Sequence, residues 1–325
     1  MTEETLMSES HIPNEEIASN IVEAMTNEKA LSSIRMTTGD QYFVFAVKTI
    51  NSEYVIRMTD AHHKNKFNSA IYWQNKLLPL GIPLAKFIKT DLDEVYSQFP
   101  ALLMPRLPGN DLINVYSNLT DIDKRNLAQE IVKIQNATTI LPEGLSYGIM
   151  DNYDHISEDK SWYDFLLNRL QLFKELITKA AIFDVSLVSK VISITNDMED
   201  NLRAIRSTPF LWDASERNVI VCNGKISGIV DVDDLCFGDP LFVLGLTYTA
   251  LENEGYDTVY PDYWMRALNL DQKAKIRLEF YRLYYVVVFM RKHATTTTNC
   301  QKVIFNVQRL ENILQRSLLK IKELI

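Results

Sequence analysis

Between Asn218 and Asp231 the chain reads NVIVCNGKISGIVD, two apolar runs on either side of Asn223-Gly224. Asn-Gly flanked by apolar runs is the strongest short-range signal for a two-residue hairpin turn. If that turn sets the register, Cys222 opposes Lys225, Ile220 opposes Ser227 and Asn218 opposes Ile229. Asp231 then stands two residues beyond the partner of Asn218, on the same face, because side chains alternate along a strand. Diagonal neighbours of this kind lie about 7–8 Å apart at the backbone. An amide and a carboxylate reaching inward across that gap can share a hard cation. Mg2+ suits them, taking oxygen ligands at about 2.0–2.1 Å with water and phosphate completing its shell. Asp213 precedes Asn218 by five residues. A carboxylate one short loop ahead of a metal-binding amide is placed to accept a proton from an attacking hydroxyl. A base beside an amide–carboxylate metal pair is the division of labour in kinase phosphoryl transfer.

The segment from Phe210 to Pro240, FLWDASERNVIVCNGKISGIVDVDDLCFGDP, resembles the catalytic region of the aminoglycoside phosphotransferase family. That family is related to the protein kinases and includes choline and fructosamine kinases. Its pattern is His-Gly-Asp, four residues, Asn, roughly a dozen residues to a metal-binding Asp, then Gly-Asp-Pro. Here the order is Leu211-Trp212-Asp213, four residues, Asn218, twelve residues, Asp231, then Gly238-Asp239-Pro240. The resemblance implies an α+β, bilobal, protein-kinase-like fold. A small, mainly β nucleotide-binding lobe would span residues 1–105, and a larger, mainly helical catalytic and substrate lobe 106–325. It implies ATP (or GTP) and Mg2+ as cofactors, Asp213 as the base, and Asn218 and Asp231 as metal ligands. Asp239 would support the catalytic loop, while Asp233 and Asp234 either supplement the cluster or face solvent.

The chain departs from that pattern in several places. Leu211 and Trp212 replace the family's histidine and glycine. The β-strand lysine of the resemblance falls on Arg57 in EYVIRM, and arginine forks around phosphate oxygens where lysine is a point charge. The helix expected to supply a partner glutamate, FNSAIYWQNKLL, offers Asn68, Ser69 and Ala70 instead. The loop expected over the phosphates, MTTGDQYF, holds one glycine, Gly39. LLMPRLPGND resembles the interlobe hinge, with backbone groups around Leu103, Met104 and Arg106 meeting the nucleotide base. Its Pro105 and Pro108 could alternatively form a PxxP ligand.

These residues need elements to hold them. YFVFAVKT and EYVIRMT, broken by a short polar stretch, read as a β-hairpin. Ala61 to Leu78 reads as a helix stopped by Pro79, Gly81 and Pro83, and a strand pair is expected around Ala85–Ile88 and Glu94–Gln98. A short helix is expected before residue 25. Apolar residues at three- and four-residue spacing predict helices over Leu119–Gln135, Trp162–Lys179, Ser186–Ile205, Lys273–Arg291 and Gln301–Leu324, with Thr295 to Thr298 as a connection.

The composition bounds the rest. The 325 residues are 46% hydrophobic and 23% charged, with net charge −8. An acidic chain lacks the basic face that nucleic-acid binders carry. The three cysteines, Cys222, Cys236 and Cys300, give no disulfide or zinc spacing, and the five histidines form no ligand set. The opening MTEETLMSESHIPNEE is unlike a signal peptide. Leu283–Met290, the longest apolar run, is too short to cross a bilayer. The expectation is a cytoplasmic protein with no membrane or nucleic-acid partner.

In the resembling family the acceptor binds after Gly-Asp-Pro. The region there concentrates Glu252, Glu254, Asp257 and Asp262 with Tyr256, Tyr260, Tyr263 and Trp264. Such a set suits an amine-bearing or sugar-like small molecule, and equally a solvated acidic loop. The expected activity is transfer of the γ-phosphoryl group of ATP to a small-molecule hydroxyl. A nucleotide-binding pseudokinase or regulatory module and a protein kinase are the alternatives.

Overall fold

The structure, a computed structural model, describes residues 12–36, 42–295 and 306–324. Gly39, His11 and Cys300 fall outside these residues, as do 296–298 of the threonine run and 301–305 of the last expected helix. The chain divides into two compact units, Met1–Gln74 with Leu84–Leu107, and Asn75–Pro83 with Pro108–Ile325.

In the first unit, Asn14 caps α1 (Glu15–Thr26), its side chain accepting from the Ile17 N–H at 2.9 Å. β1 (Ala30–Met36), β2 (Phe43–Thr49) and β3 (Glu53–Met58) follow, then a single 3-10 turn at Ala61–His63 and α2 (Lys64–Leu77). β4 (Lys89–Asp91) and β5 (Ala101–Pro105) complete an antiparallel sheet ordered β1-β2-β3-β5-β4. Strand alternation divides the core. Phe45, Val47, Ile56, Met58, Ala101 and Leu103 pack with α1. Tyr42, Leu102 and Met104 pack with Phe67 and Ala70 of α2. The strand pair expected at 85–88 and 94–98 is not formed. The Asp91 carboxylate instead accepts from the Val95 and Tyr96 N–H groups at 2.8 and 2.9 Å. An aspartate closing its own turn in this way takes the backbone out of the ladder.

The second unit is mainly helical. β6 (Asn110–Asp111) and α3 (Leu112–Val115) lead into α4 (Asp121–Thr138), which begins with a Thr120–Asp123 capping box. After β7 (Gly148–Met150) come α5 (Trp162–Ala180), α6 (Val185–Asp197) and α7 (Glu199–Arg203). The single helix expected over 186–205 is thus broken at Met198. β8 (Thr208–Phe210), β9 (Val219–Cys222), β10 (Lys225–Ile229) and β11 (Leu235–Gly238) precede α8 (Leu241–Glu254). α9 (Val259–Leu268), α10 (Gln272–Thr295) and α11 (Val307–Leu324) follow. The strands form two small sheets, β10-β9-β6 and β7-β11-β8. α8 is buried on nearly every side, so it carries no amphipathic pattern to mark it in the sequence. Among the described residues no helix is long and apolar enough to cross a membrane.

Candidate active site

β8 delivers the chain into the loop 211–218, and β9 carries it out. The loop is fixed at its entry by Gln135 on α4. The Gln135 side chain donates to the Leu211 carbonyl at 2.9 Å and accepts from the Leu211 N–H at 3.2 Å. Both groups are buried, and the side-chain amide satisfies the donor and acceptor of one residue together. Leu211, buried where the resembling family has histidine, therefore holds its place through its backbone. At the exit, the Asn218 and Val219 N–H groups both donate to the Ser215 carbonyl at 3.1 Å.

Asp213 and Asn218 meet directly. The Asn218 Nδ2 donates to the Asp213 carboxylate and to the Asp213 carbonyl, each at 2.9 Å. Both partners are acceptors, so the nitrogen must face them and Oδ1 is turned away. That oxygen is the atom a cation would take.

The hairpin turn forms at Asn223-Gly224, with φ of 50° and 71°, the left-handed pair of a two-residue turn. Lys225 opposes Cys222 as expected, but a bulge between Ile226 and Gly228 shifts the rest. Ile220 opposes Gly228 rather than Ser227, and Ile229 opposes Val219 rather than Asn218. One extra residue reverses the facing of all that follows, so simple alternation no longer carries Asp231 to the Asn218 face. The chain instead leaves the ladder where the Val230 N–H donates to the Asn218 carbonyl at 2.9 Å, and Asp231 adopts φ 60°. Non-glycine residues seldom adopt this conformation, and aspartate is among those that do.

Asp231 still comes close enough to act on Asp213. Burial, and then the Asp231 charge, push the Asp213 carboxyl up to about 7, against Lys292 and hydrogen bonds from Asn218 and Ser215. Two carboxylates that repel one another, beside a free amide oxygen, fit a hard cation, whose charge reverses that repulsion. Among the described residues no three His, Cys, Asp or Glu side chains gather as a metal-ligand group. A cation here would rest on Asn218, Asp231 and a phosphate, the small protein share that Mg2+ usually takes. Asp233 is buried and Asp234 half-buried.

Asp239 is also buried, but its bonds run elsewhere. It accepts from the Leu241 N–H at 3.1 Å, Arg277 Nε at 2.8 Å and Tyr281 Oη at 2.8 Å. Tyr281 in turn accepts from Trp162 Nε1 at 2.9 Å. Asp239 thus ties the start of α8 to α10 and α5; the loop-supporting part expected of it falls to Gln135. Only the fold pairs Gln135 with Leu211, 76 residues away, and no local pattern marks it. No local pattern marks Glu216 either. It is buried inside the loop, its Oε2 has no partner, and burial foremost pushes its carboxyl up to about 8.

The remaining candidates belong to the first unit. Arg57 is buried on β3 with its guanidinium 4.3 Å from the centre of the Tyr42 ring and 5.8 Å from that of Phe67. α2 carries no acidic residue. Met104 shares the Arg57 face, while Leu103 points to the α1 side. The Leu103 carbonyl accepts from the Ile88 N–H at 2.8 Å, and the Arg106 N–H donates to the Glu53 carbonyl at 2.9 Å. Neither backbone group is open to a base. Pro105, two residues past Leu103, turns its carbonyl to the same edge by strand alternation, beyond the last β4 partner of β5.

The acidic set after Gly-Asp-Pro is internally paired. Glu252 binds Arg282 and Arg316, Glu254 binds Arg217, and Asp257 binds Lys124. Asp262 accepts from Tyr248 at 2.7 Å, and Tyr260 and Trp264 lie in the core. Each of these carboxylates already has a partner, Asp262 only through the Tyr248 and Thr258 hydroxyls, so the set does not stand as an open cation pocket.

Residues 34–278 match the model of a family described as "Phosphotransferase enzyme family". Among solved structures, the chain resembles the GDP complex of aminoglycoside 2'-phosphotransferase-IIIa at TM-score 0.67 and 12% identity, covering 95% of this chain and 99% of that one. A putative fructosamine-3-kinase from Haemophilus somnus gives TM-score 0.61 and 12% identity over 94% and 96% of the two chains. A thermostable mutant of aminoglycoside phosphotransferase APH(4)-Ia, solved in ternary complex with ADP and hygromycin B, gives 0.58 and 14% over 92% and 98%. No curated protein matches the sequence.

Proposed function

The chain belongs to the phosphotransferase enzyme family, and from that premise we propose that it transfers the γ-phosphoryl group of a nucleoside triphosphate to a hydroxyl of a small molecule. The observation that carries this reading is the Asn218 amide locked onto Asp213, with Asp231 beside it. Asp213 accepts the acceptor's hydroxyl proton as the oxygen attacks the γ-phosphorus and the nucleoside diphosphate leaves. Asn218 Oδ1 and Asp231 would hold Mg2+, which would supply charge neutralisation on the phosphates. Asp213 must be ionised to act as base, and a cation at Asp231 would favour that ionised form. In the first unit, Arg57 forks onto phosphate oxygens, and the edge past Leu103 and Met104, with the Pro105 carbonyl, meets the base.

The acceptor class we propose is a hydroxylated, amine-bearing or sugar-like small molecule. It rests on the substrates named for APH(4)-Ia and the putative fructosamine-3-kinase rather than on the acidic region, whose charges are paired. Protein and Mg2+ would be incubated with γ-labelled ATP, or GTP, and a panel of amino sugars, aminocyclitols and glycated amines. Label should enter a small-molecule fraction and should not with Asp213→Ala. Label entering protein alone, or full turnover by Asp213→Ala, would contradict the reading. One observation favours a second reading, a nucleotide-binding regulatory module: α2 offers no carboxylate to orient Arg57. In that case Mg2+ and ATP raise the melting temperature while no acceptor in the panel is labelled.

A further inference from the structure

The last turn of α8 connects the catalytic loop to a helix outside the family-matched residues. Glu254 pairs with Arg217, which stands between Asp213 and Asn218 in that loop, and Arg217 Nε also lies 3.7 Å from Glu216. One residue earlier, the carbonyl of buried Asn253 accepts from Arg309 Nη1 at 2.7 Å. One residue before that, Glu252 accepts from Arg282 Nη2 at 3.0 Å and Arg316 Nη2 at 2.8 Å. Gly255 ends the helix at φ 87°, where a Cβ would lie 3.0 Å from Arg309 Nη1. A side chain there would push that guanidinium back by a few tenths of an ångström and strain the left-handed backbone.

Arg309 and Arg316 both belong to α11, whose buried residues Leu310, Ile313, Leu314, Leu318 and Ile321 form one apolar face. The family match ends at residue 278, well before this helix. Three consecutive residues of α8 thus take α11 on one side and the catalytic loop on the other.

We propose that α11 is a strut for the catalytic loop, and that Glu254 is a positioning residue acting through Arg217. Glu254 holds Arg217 and hence the turn between Asp213 and Asn218, while Arg309 and Arg316 hold the turn of α8 that carries Glu254. The functional consequence rests on the reading of Asp213 and Asn218 given above. The Arg217 side chain is 44% exposed, and a pair so open to water adds little to global stability. Its effect belongs in the loop.

Hydrogen exchange by mass spectrometry on the full chain reads this directly. In Glu254→Gln and in Arg309→Met, amides of 211–219 should exchange several-fold faster, with α5 unchanged. The Mg2+ concentration giving half of the ATP-induced thermal shift should rise several-fold in both. The exchanged pair Arg217→Glu with Glu254→Arg should restore loop protection, which a loss of packing alone would not allow. Unchanged exchange in 211–219 in both single variants would overturn the strut, and so would a loosened loop with unaltered Mg2+ dependence. If the wild-type protein shows no shift with Mg2+ and ATP while its loop still loosens in the variants, the strut stands and the reading of the metal site falls.

Discussion

At the level of single residues, Asp213 and Asn218 define one another. The amide nitrogen faces the carboxylate, leaving one oxygen for a cation, and partial burial and the Asp231 charge push the half-buried Asp213 carboxyl up to about 7. Asp213→Ala should lower kcat about 10²–10⁴-fold, the usual share of a general base, with the circular dichroism spectrum unchanged. The base must be ionised to work. With Asp213 raised to about 7, activity should fall as pH drops through about 7 at low Mg2+, and raising Mg2+ should move that limb to lower pH. Glu216, raised to about 8, binds a proton in the folded chain that it releases when unfolded at neutral pH. Its burial therefore destabilises the fold increasingly as pH rises from about 4.5 to about 8. Glu216→Gln should raise the melting temperature at pH 8 by about 2 °C or more and leave it unchanged at pH 4. Asp213, Asn218 and Asp231 were legible because spacing along one short segment carries them. Gln135 was not, because its bond to Leu211 exists only after α4 packs against the loop. Gln135→Met would strip two buried backbone groups of their partners, costing about 1–3 kcal/mol. Thermal melts should register that loss, and kcat should fall with KM for ATP retained.

At the level of elements, the Asn223-Gly224 turn could be read directly and the bulge after it could not. Turn chemistry is local, whereas the one-residue slip after Ile226 is decided by groups far along the chain. The Ile226 N–H donates to Glu130 Oε2 at 2.7 Å and the Ile229 N–H to the Pro83 carbonyl at 2.8 Å. Deleting Ser227 would remove the extra residue while keeping Gly228 opposite Ile220 and Ile229 opposite Val219, so Asp231 should keep its facing. That variant should retain the Mg2+ dependence of nucleotide binding in a thermal-shift titration, and its loss would show that the bulge itself is required. Gly224→Ala tests the turn itself. A Cβ at φ 71° would lie 2.4 Å from Oδ1 of Asp123, a member of the α4 capping box. Backbone strain and the disturbed cap should together cost about 1–2 kcal/mol in chemical denaturation. The strand pair expected at 85–98 failed for a related reason: Asp91 closes its own turn, a choice that alternation of residue types does not encode.

At the scale of the molecule, the order of a mainly sheet unit followed by a long helical unit was legible from the change of apolar period, whereas β1 was not. The pairing of the acids after Gly-Asp-Pro was not legible either, since Glu252, Glu254 and Asp257 pair with Arg282 and Arg316, Arg217 and Lys124. Those arginines and that lysine are scattered in sequence, so charge counting along one stretch finds acids without their partners. In the proposed reading, catalysis lies in the segment from Asp213 to Asp231. The most direct test is a crystal structure of the full chain grown with a non-hydrolysable ATP analogue and Mg2+. It should show Mg2+ on Asn218 Oδ1 and the Asp231 carboxylate, with Asp213 facing the γ-phosphate. A cation held by other residues, or a nucleotide bound with Asn218 and Asp231 unengaged, would contradict it.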